Sequence, residues 1–200
     1  MKKQLVAAAI LSTLLSGAAF AQQTPEGSWM VRARAVHLQS DNGGGTTPAL
    51  NLSMNNKWMP EVDVSYFFNP NVAVELVLTV PQKHTLYANG TDIGTFKHLP
   101  PVLLAQYHFP MNGFKPYVGA GVNYTRFSSV NLKVPGADID RNSWGPALQV
   151  GVDIALSKGL YLNLDMKKVY IRTDVSLGGN KIGDFKADPL LVGVGLGWRF

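Results

Sequence analysis

The segment at 192–200 alternates strictly between two kinds of residue, and this alternation is the feature that most constrains the fold. One parity reads Val, Val, Leu, Trp and Phe, and the other reads Gly, Gly, Gly and Arg. Successive residues of a β-strand point to opposite faces of a sheet, so one face of this strand is wholly apolar. Every residue of that face suits contact with lipid. The pattern therefore favours a membrane strand over a strand of a soluble β-sandwich.

Seven further segments show a period of two, which brings the number of predicted strands to eight. Several reach the about 9 to 11 residues that a tilted strand needs to cross a bilayer, whereas soluble strands centre on about five or six. Short turns alternate with long loops rich in Gly, Asn, Asp, Ser or Thr, as in outer-membrane barrels. The predicted strands are 28–38, 58–68, 72–85, 95–109, 115–127, 143–156, 160–175 and 189–200. The sequence therefore predicts an all-β fold, an eight-stranded antiparallel transmembrane β-barrel.

The first 21 residues predict export. Lys2 and Lys3 precede an apolar run at 5–15, and a stretch of mainly small residues ends in Ala19-Phe20-Ala21, as in a secretory signal peptide. We expect a signal peptide at 1–21 and a β-barrel at 22–200 in the outer membrane of a Gram-negative cell. Without the two lysines, 16 basic residues face 13 acidic ones, so the net charge falls from +5 to +3. No nucleic-acid partner is predicted from that charge.

The side chains at the alternate positions of each strand, opposite the apolar face, have to fill or line the interior. These side chains are polar towards the short-turn end. An eight-stranded barrel is only just wide enough for side chains to fill it. Unpaired charges there would carry a heavy desolvation cost, so we expect these groups to pair across the lumen as a periplasmic plug. The predicted plug residues are Arg32, Arg34, Asp63, Glu75, Asp153 and Asp165.

Towards the long loops the inward positions become less polar, which predicts a cup that is open to the outside and stopped below. Apolar walls favour an apolar guest, because burial of apolar area is worth roughly 25 cal/mol per Å². The predicted lining residues are Met59, Val77, Thr79, Val102, Leu104 and Lys167. A guest held above a plug would have to leave sideways.

Prolines within the predicted strands offer one place for a sideways exit. Each proline removes a backbone donor and so weakens local strand pairing. Two interpretations stay open, a lateral opening to the bilayer and simple bulges or strand starts. The prolines concerned are Pro60, Pro81, Pro100, Pro101 and Pro146.

Four segments resemble the OmpW family of small outer-membrane barrels, namely 71–84 (NVAVELVLTVPQKH), 99–109 (LPPVLLAQYHF), 115–125 (KPYVGAGVNYT) and 143–153 (SWGPALQVGVD). The similarity covers nearly all of the mature chain, in order and at family-like spacing. It implies an eight-stranded barrel with a hydrophobic interior channel, associated with passage or capture of small hydrophobic compounds. It does not imply enzyme activity. The chain departs from the family pattern at Lys167-Lys168, where a large aromatic is expected, so the middle of its lumen should be less apolar.

The sequence contains no enzyme motif, since it lacks a cysteine nucleophile, a G-x-S-x-G elbow and an H-E-x-x-H pair. No cofactor or metal is therefore predicted. His84 and His98 flank one long loop and could approach each other, either as a metal or acid-base pair or as polar residues near lipid headgroups. Basic residues near the outer rim predict contacts with lipopolysaccharide phosphates or, equally, a solvated rim. They are Lys83, Lys97, Arg126, Lys133, Arg141, Lys168 and Arg172.

Two functions stay open at this point. The first is a narrow channel for uptake or passage of small hydrophobic molecules, with lateral exit into the bilayer. The second is a structural or surface-interaction barrel with a filled lumen that acts through its extracellular loops. Retention of detergent-like molecules inside the barrel, or protection of Val102 and Leu104 from labelling, would separate the two.

Overall fold

A computed structural model describes residues 27–200, and the predicted signal peptide at 1–21 lies outside the described residues. These residues form strands, turns and loops, and no helix among them is long and apolar enough to cross a membrane. The strands are β1 (Trp29–Gln39), β2 (Gly43–Thr46), β3 (Ser53–Met54), β4 (Lys57–Phe67), β5 (Val72–Thr79), β6 (Gln82–Ala88), β7 (Thr91–Leu99), β8 (Val102–His108), β9 (Phe114–Leu132), β10 (Ala137–Ile139), β11 (Asn142–Ser157), β12 (Leu160–Val169), β13 (Arg172–Leu177), β14 (Asn180–Lys186) and β15 (Leu190–Arg199).

Eight of these strands form a closed wall. Their order is β1-β4-β5-β8-β9-β11-β12-β15, and β15 pairs with β1 to complete the ring. Every neighbouring pair in the wall is antiparallel. The eight-stranded antiparallel barrel predicted from the period of two is confirmed. Each wall strand therefore pairs with a neighbour on both sides, as strands that cross a bilayer must.

The outward face of the wall is apolar between its two ends. Leu148 is 53% exposed and Leu103 is 50% exposed at mid-strand, which in water would be an unfavourable display of hydrocarbon and in lipid is the expected one. Exposed aromatic rings lie at both ends of the wall, with Trp58 and Trp144 towards the long loops and Trp29 and Trp198 towards the short turns. Such rings favour the two membrane interfaces.

Two predicted strands are each divided at prolines. The predicted strand 72–85 consists of β5 and β6, separated at Val80-Pro81, and the predicted strand 95–109 consists of β7 and β8, separated at Pro100-Pro101. The break at Val80-Pro81 also shifts the phase of the strand, because odd-numbered residues up to Thr79 face inward and even-numbered residues from Gln82 onward are buried. Proline cannot donate to the ladder, which explains why regular pairing stops there.

The long loops contain regular strands of their own. The segment 86–94 is the tip of a hairpin formed by β6 and β7, which turns at Asn89 and Gly90 with φ values of 48° and 79°. The segments 39–57, 128–142 and 176–188 contain short strands, and β2, β10, β13 and β14 form a separate four-stranded sheet. Asn-Gly and Gly-Gly pairs are turn residues of hairpins as well as loop residues, so composition alone did not distinguish the two.

The interior is divided by chemistry along the barrel axis. The buried charged and amide-bearing side chains lie in the half of the wall towards the short turns, above a small apolar cluster of Met30, Phe67, Ala73 and Tyr161, whereas the large apolar cluster lies towards the long loops. The apolar cluster begins within the wall at Val102 and Leu104 and continues into the β6–β7 hairpin through Leu86 and Phe96. The candidate site lies where these two zones meet.

Candidate functional site: a charged plug below an apolar cavity

Arg32 stands at the centre of the charged zone. Its guanidinium binds Asp153 through two hydrogen bonds, from Nε to Oδ1 at 3.0 Å and from Nη2 to Oδ2 at 2.7 Å. Its Nη1 lies 3.1 Å from Asp63 and 3.1 Å from Glu75, and 2.8 Å from the hydroxyl of Ser65. A planar guanidinium with five N–H donors suits such a fork of acceptors. Arg32 thereby ties four strands of the wall together across the lumen.

Arg34 and Lys167 form a second layer, nearer to the apolar zone. Arg34 pairs with Asp63, with Glu61 at 3.0 Å and with Asp165 at 3.2 Å. The Lys167 ammonium lies 2.8 Å from Glu61 and also pairs with Asp165. All of these side chains are almost completely buried. The pairs meet the condition under which charges are tolerated inside a protein.

Carboxylates outnumber cations in this network, and neutral donors satisfy the excess. Three cations face five carboxylates, those of Glu61, Asp63, Glu75, Asp153 and Asp165. Gln106 and Gln149 each donate to Glu75 at 2.9 Å. Other neutral donors include Asn163, which donates to Asp153, and Tyr117, which donates to Asp165. The network fills the barrel cross-section near the short turns.

The six side chains predicted as the plug all lie in this one network, together with Glu61, which the sequence interpretation did not single out. Glu61 has the same parity as Asp63 on β4, so the alternation of that strand was the signal that could have found it. The structure also places Lys167 in the network, not on the wall of the apolar cup. An ammonium next to two carboxylates gains more there than against apolar side chains.

A small cavity lies directly above the network. Its apolar lining consists of residues from both sides of the barrel, including Leu38, Met59, Val77, Val102, Ile171 and Leu191. Glu61, Thr79 and His98 are the polar lining residues. The cavity volume is about 10 Å³, which is room for about one water molecule. In this conformation the site is therefore nearly closed.

Four of the six predicted lining residues border this cavity, namely Met59, Val77, Thr79 and Val102. Leu104 does not, because its side chain is fully buried in the apolar cluster around it. Lining residues that the sequence interpretation missed include Ile171, which lies between β12 and β13, and Leu191, the second residue of β15.

The hydrogen-bonded wall is interrupted beside the cavity. The β5–β8 ladder ends at the pair Val77 and Val102, and the β6–β7 ladder begins only at Gln82 and His98. Thr79 and Pro100, which both line the cavity, fall in the gap between these two ladders. At Pro60 and Pro146 one flanking ladder runs on through the proline, since β1 and β4 pair through Pro60 and β9 and β11 pair through Pro146. The five prolines are thus not equivalent.

His84 and His98 meet just above the cavity, in the β6–β7 hairpin beyond the membrane-spanning strands. Their ring centroids are 4.7 Å apart and the rings are stacked at 27°. Burial lowers the pKa of His84 to about 4, against the opposing effect of a hydrogen bond from its Nδ1 to the carbonyl of Asn55 at 3.0 Å. Burial, with the nearby His84 and Lys57, lowers the pKa of His98 to about 3. Both imidazoles are neutral at neutral pH.

The basic residues of the outer rim divide into two groups. Four of them pair with acidic neighbours, as Lys133 does with Asp92 at 2.8 Å and Arg141 with Asp138 at 2.8 Å. Within residues 27–200, Lys83, Lys97 and Arg126 have no such pair. Lys83 and Lys97 also lie directly opposite each other on β6 and β7.

Comparisons with known proteins agree with this architecture. Outer membrane protein W of Escherichia coli (strain K12) is 36% identical over 214 aligned residues that cover 100% of both chains. Dibenzothiophene metabolism operon protein PahQ of Pseudomonas aeruginosa is 34% identical over 147 residues, 69% of each chain. The crystal structure of the outer membrane protein OprG from Pseudomonas aeruginosa superposes with a TM-score of 0.77 at 28% identity and covers 87% of this chain and 96% of that one. A family model described as the OmpW family matches residues 25–200. The chain therefore belongs to the OmpW family and is a β-barrel protein of the outer membrane.

Proposed function

We propose that the barrel is a narrow channel for uptake or passage of small hydrophobic molecules, which enter from the loop side and leave sideways into the bilayer. The observation that carries this proposal is the apolar cavity placed between the charged plug and the interrupted part of the wall. The proposal contains no catalytic step.

The plug directs a guest away from the periplasm. An apolar molecule that continued along the axis would have to displace ion pairs such as Arg32–Asp153 and Lys167–Glu61, and buried charges without partners are strongly unfavourable. The side exit has no such barrier, because the residues at the gap are Thr79 and Pro100 and the surface beyond it is apolar.

Entry of a guest requires the cavity to widen. Its volume of about 10 Å³ is far below the about 300 Å³ of a typical small ligand site. Met59 and Leu38 stand on its wall, and a thioether side chain with three rotatable bonds adapts readily to a guest. The relative PahQ is named as a dibenzothiophene metabolism operon protein. A fused aromatic compound of this kind has the apolar character that the cavity walls favour.

A reversible disulfide across the gap tests the side exit. The chain has no cysteine, so Thr79→Cys combined with Pro100→Cys introduces the two thiols alone. If the β5–β8 register is continued by two residues past Val77 and Val102, Thr79 and Pro100 oppose each other. Opposed residues on antiparallel strands lie within disulfide reach. Uptake of a hydrophobic fluorescent tracer by cells that express the variant should fall when the bond is formed and recover on reduction.

A disulfide elsewhere in the wall is the control. Ala120 and Leu148 oppose each other in the continuous β9–β11 ladder on the lipid face. Cysteines at these two positions should leave tracer uptake unchanged in both redox states. Equal uptake by the oxidised and reduced forms of the gap variant would refute the side exit.

The small volume of the cavity also favours the second function, a structural or surface-interaction barrel whose lumen is simply filled. The ordered four-stranded loop sheet would then carry the activity. The two functions differ in one measurable respect. A tracer that reaches the cavity protects a cysteine introduced at Val102 from water-soluble maleimide, whereas a filled lumen leaves the labelling rate independent of tracer.

Lipopolysaccharide is the proposed lipid partner at the outer rim. Lys83 and Lys97 are exposed like charges directly across a strand pair, an arrangement that destabilises a hairpin unless an anion lies between them. Replacing both by Gln should reduce the amount of lipopolysaccharide that co-purifies with the protein. The matched control is Lys133→Gln, which removes a lysine that already has a carboxylate partner. Equal co-purification in the two variants would refute the phosphate contact.

A further inference from the structure

Two neutral imidazoles at the roof of the cavity leave three ring nitrogens without a hydrogen-bond partner in the described part of the protein. These are Nε2 of His84 and both nitrogens of His98. Both side chains are 2% exposed or less, so bulk water does not satisfy them. Buried polar groups nearly always have a partner, and each exception calls for an explanation.

The hydrogen bond of His84 settles the state of one nitrogen. Its Nδ1 lies 3.0 Å from the carbonyl oxygen of Asn55. A carbonyl only accepts, so Nδ1 carries the proton and Nε2 of the neutral ring is a bare acceptor. His98 has one donor and one acceptor in either tautomer. The pair therefore presents hydrogen-bonding capacity and no net charge.

The geometry of the pair does not suit a metal ion. The lone pairs of an imidazole lie in the ring plane, and two rings stacked at 27° and 4.7 Å direct them side by side. They do not converge on one point about 2.0 Å from both rings, as a bound zinc ion would require. No group of three His, Cys, Asp or Glu residues able to hold a metal occurs among the described residues.

His98 is also the polar lining residue that is still available to a guest. The Glu61 carboxylate already binds Arg34 and Lys167, and the Thr79 hydroxyl donates to the carbonyl of Pro60 at 2.8 Å. The other side of the His98 ring packs against His84 and Phe127. A guest in the cavity thus meets hydrocarbon on its walls and one unpaired imidazole at the loop side.

We propose that the cavity selects apolar molecules that carry one uncharged group able to donate and accept hydrogen bonds, a hydroxyl above all, and that His98 binds that group. The inference deepens the proposed channel function and rests on it. A hydroxyl matches the donor and acceptor of a neutral imidazole, whereas a carboxylate finds no cation there. A plain hydrocarbon leaves the imidazole nitrogens unpaired, and that difference is the basis of selection.

The test compares 2-naphthol with naphthalene as probes of the full barrel in phospholipid vesicles, with partition into protein-free vesicles subtracted. A net hydrogen bond corresponds to about a fivefold preference, so wild type should bind the naphthol about fivefold more tightly than the hydrocarbon. His98→Phe should abolish the preference and keep the hydrocarbon affinity. His98→Gln, which retains a donor and an acceptor, should keep part of the preference.

His37→Phe is the matched control, because His37 lies on the outward parity of β1 beside Trp58 and should not affect the ratio. A second readout needs no variant at the site. The chain has four histidines, so ¹⁵N-histidine spectra resolve each ring, and the His98 nitrogens should shift with 2-naphthol and not with naphthalene. Equal affinities for 2-naphthol and naphthalene, with no shift of the His98 nitrogens, would overturn the proposed selection by His98 but not the channel function. Absence of binding by both probes would instead overturn the channel itself.

Discussion

Replacement of Arg32 by Met should destabilise the barrel by about 3 to 5 kcal/mol, the typical consequence of removing one partner of a buried ion pair. The contacts of Arg32 show which group is responsible. After the substitution Asp63 still has Arg34, and Glu75 still has Gln106 and Gln149. Asp153 has lost both of its bonds to the guanidinium and keeps only the amide of Asn163. It becomes a buried charge without a cation.

The assay is equilibrium urea unfolding of the barrel in phospholipid vesicles, followed by tryptophan fluorescence. A second substitution, Asp153→Asn, removes the orphaned charge, so in the Arg32→Met background it should recover a large part of the loss, whereas in wild type it should destabilise. Arg141→Met is the control, because the Arg141–Asp138 pair is exposed and should contribute less than about 1 kcal/mol. A loss below about 1 kcal/mol for Arg32→Met, or no recovery with Asp153→Asn, would refute the account of the plug.

Three further outcomes are expected. The His84 and His98 rings should remain neutral at pH 5.5 in ¹⁵N spectra, since burial lowers their pKa values to about 4 and about 3. An open hairpin exposes both rings and binds more protons, so the closed hairpin should become less stable as pH falls below about 6.5. Protonation of both rings at pH 6 would contradict this. Gly121→Ala should prevent folding, because its Cβ would lie 1.9 Å from the Leu103 carbonyl oxygen, whereas Gly45→Ala, with nothing within 4 Å, should fold normally in a heat-modifiability gel. Leu148→Arg on the lipid face should cost about 2 to 4 kcal/mol in the urea titration, and a smaller loss would place that position outside the hydrocarbon.

The wall was predictable because, in each of its strands, lipid-facing apolar residues alternate with residues that face the interior. Period-two patterns such as that at 192–200 need no knowledge of neighbouring strands, and their number and spacing determine the architecture. Strand ends were less predictable. The tip of the β6–β7 hairpin and the loop sheet contain Gly and Asn, which occur in both irregular loops and tight hairpin turns.

The plug was predictable as a set of residues and not as a set of pairs. Parity and height along the strand place Arg32 and Asp153 in the same zone, yet 121 residues separate them, and only the register of the closed barrel brings them together. The histidine pair shows the opposite difficulty. Continuing the phase of β5 through Pro81 would point His84 outward, and only the interruption at the proline turns it towards His98.

The arrangement of charges within the barrel also affects how it can close during assembly. A strand that docks one residue out of step exchanges its two faces, and every side chain changes solvent. On β1 such an error would put Arg32 and Arg34 into acyl chains and would leave five carboxylates in the bore with a single lysine. Only the native alignment neutralises the bore and keeps the lipid face free of charge. The buried ion pairs thus disfavour barrels with the wrong strand order or register during insertion.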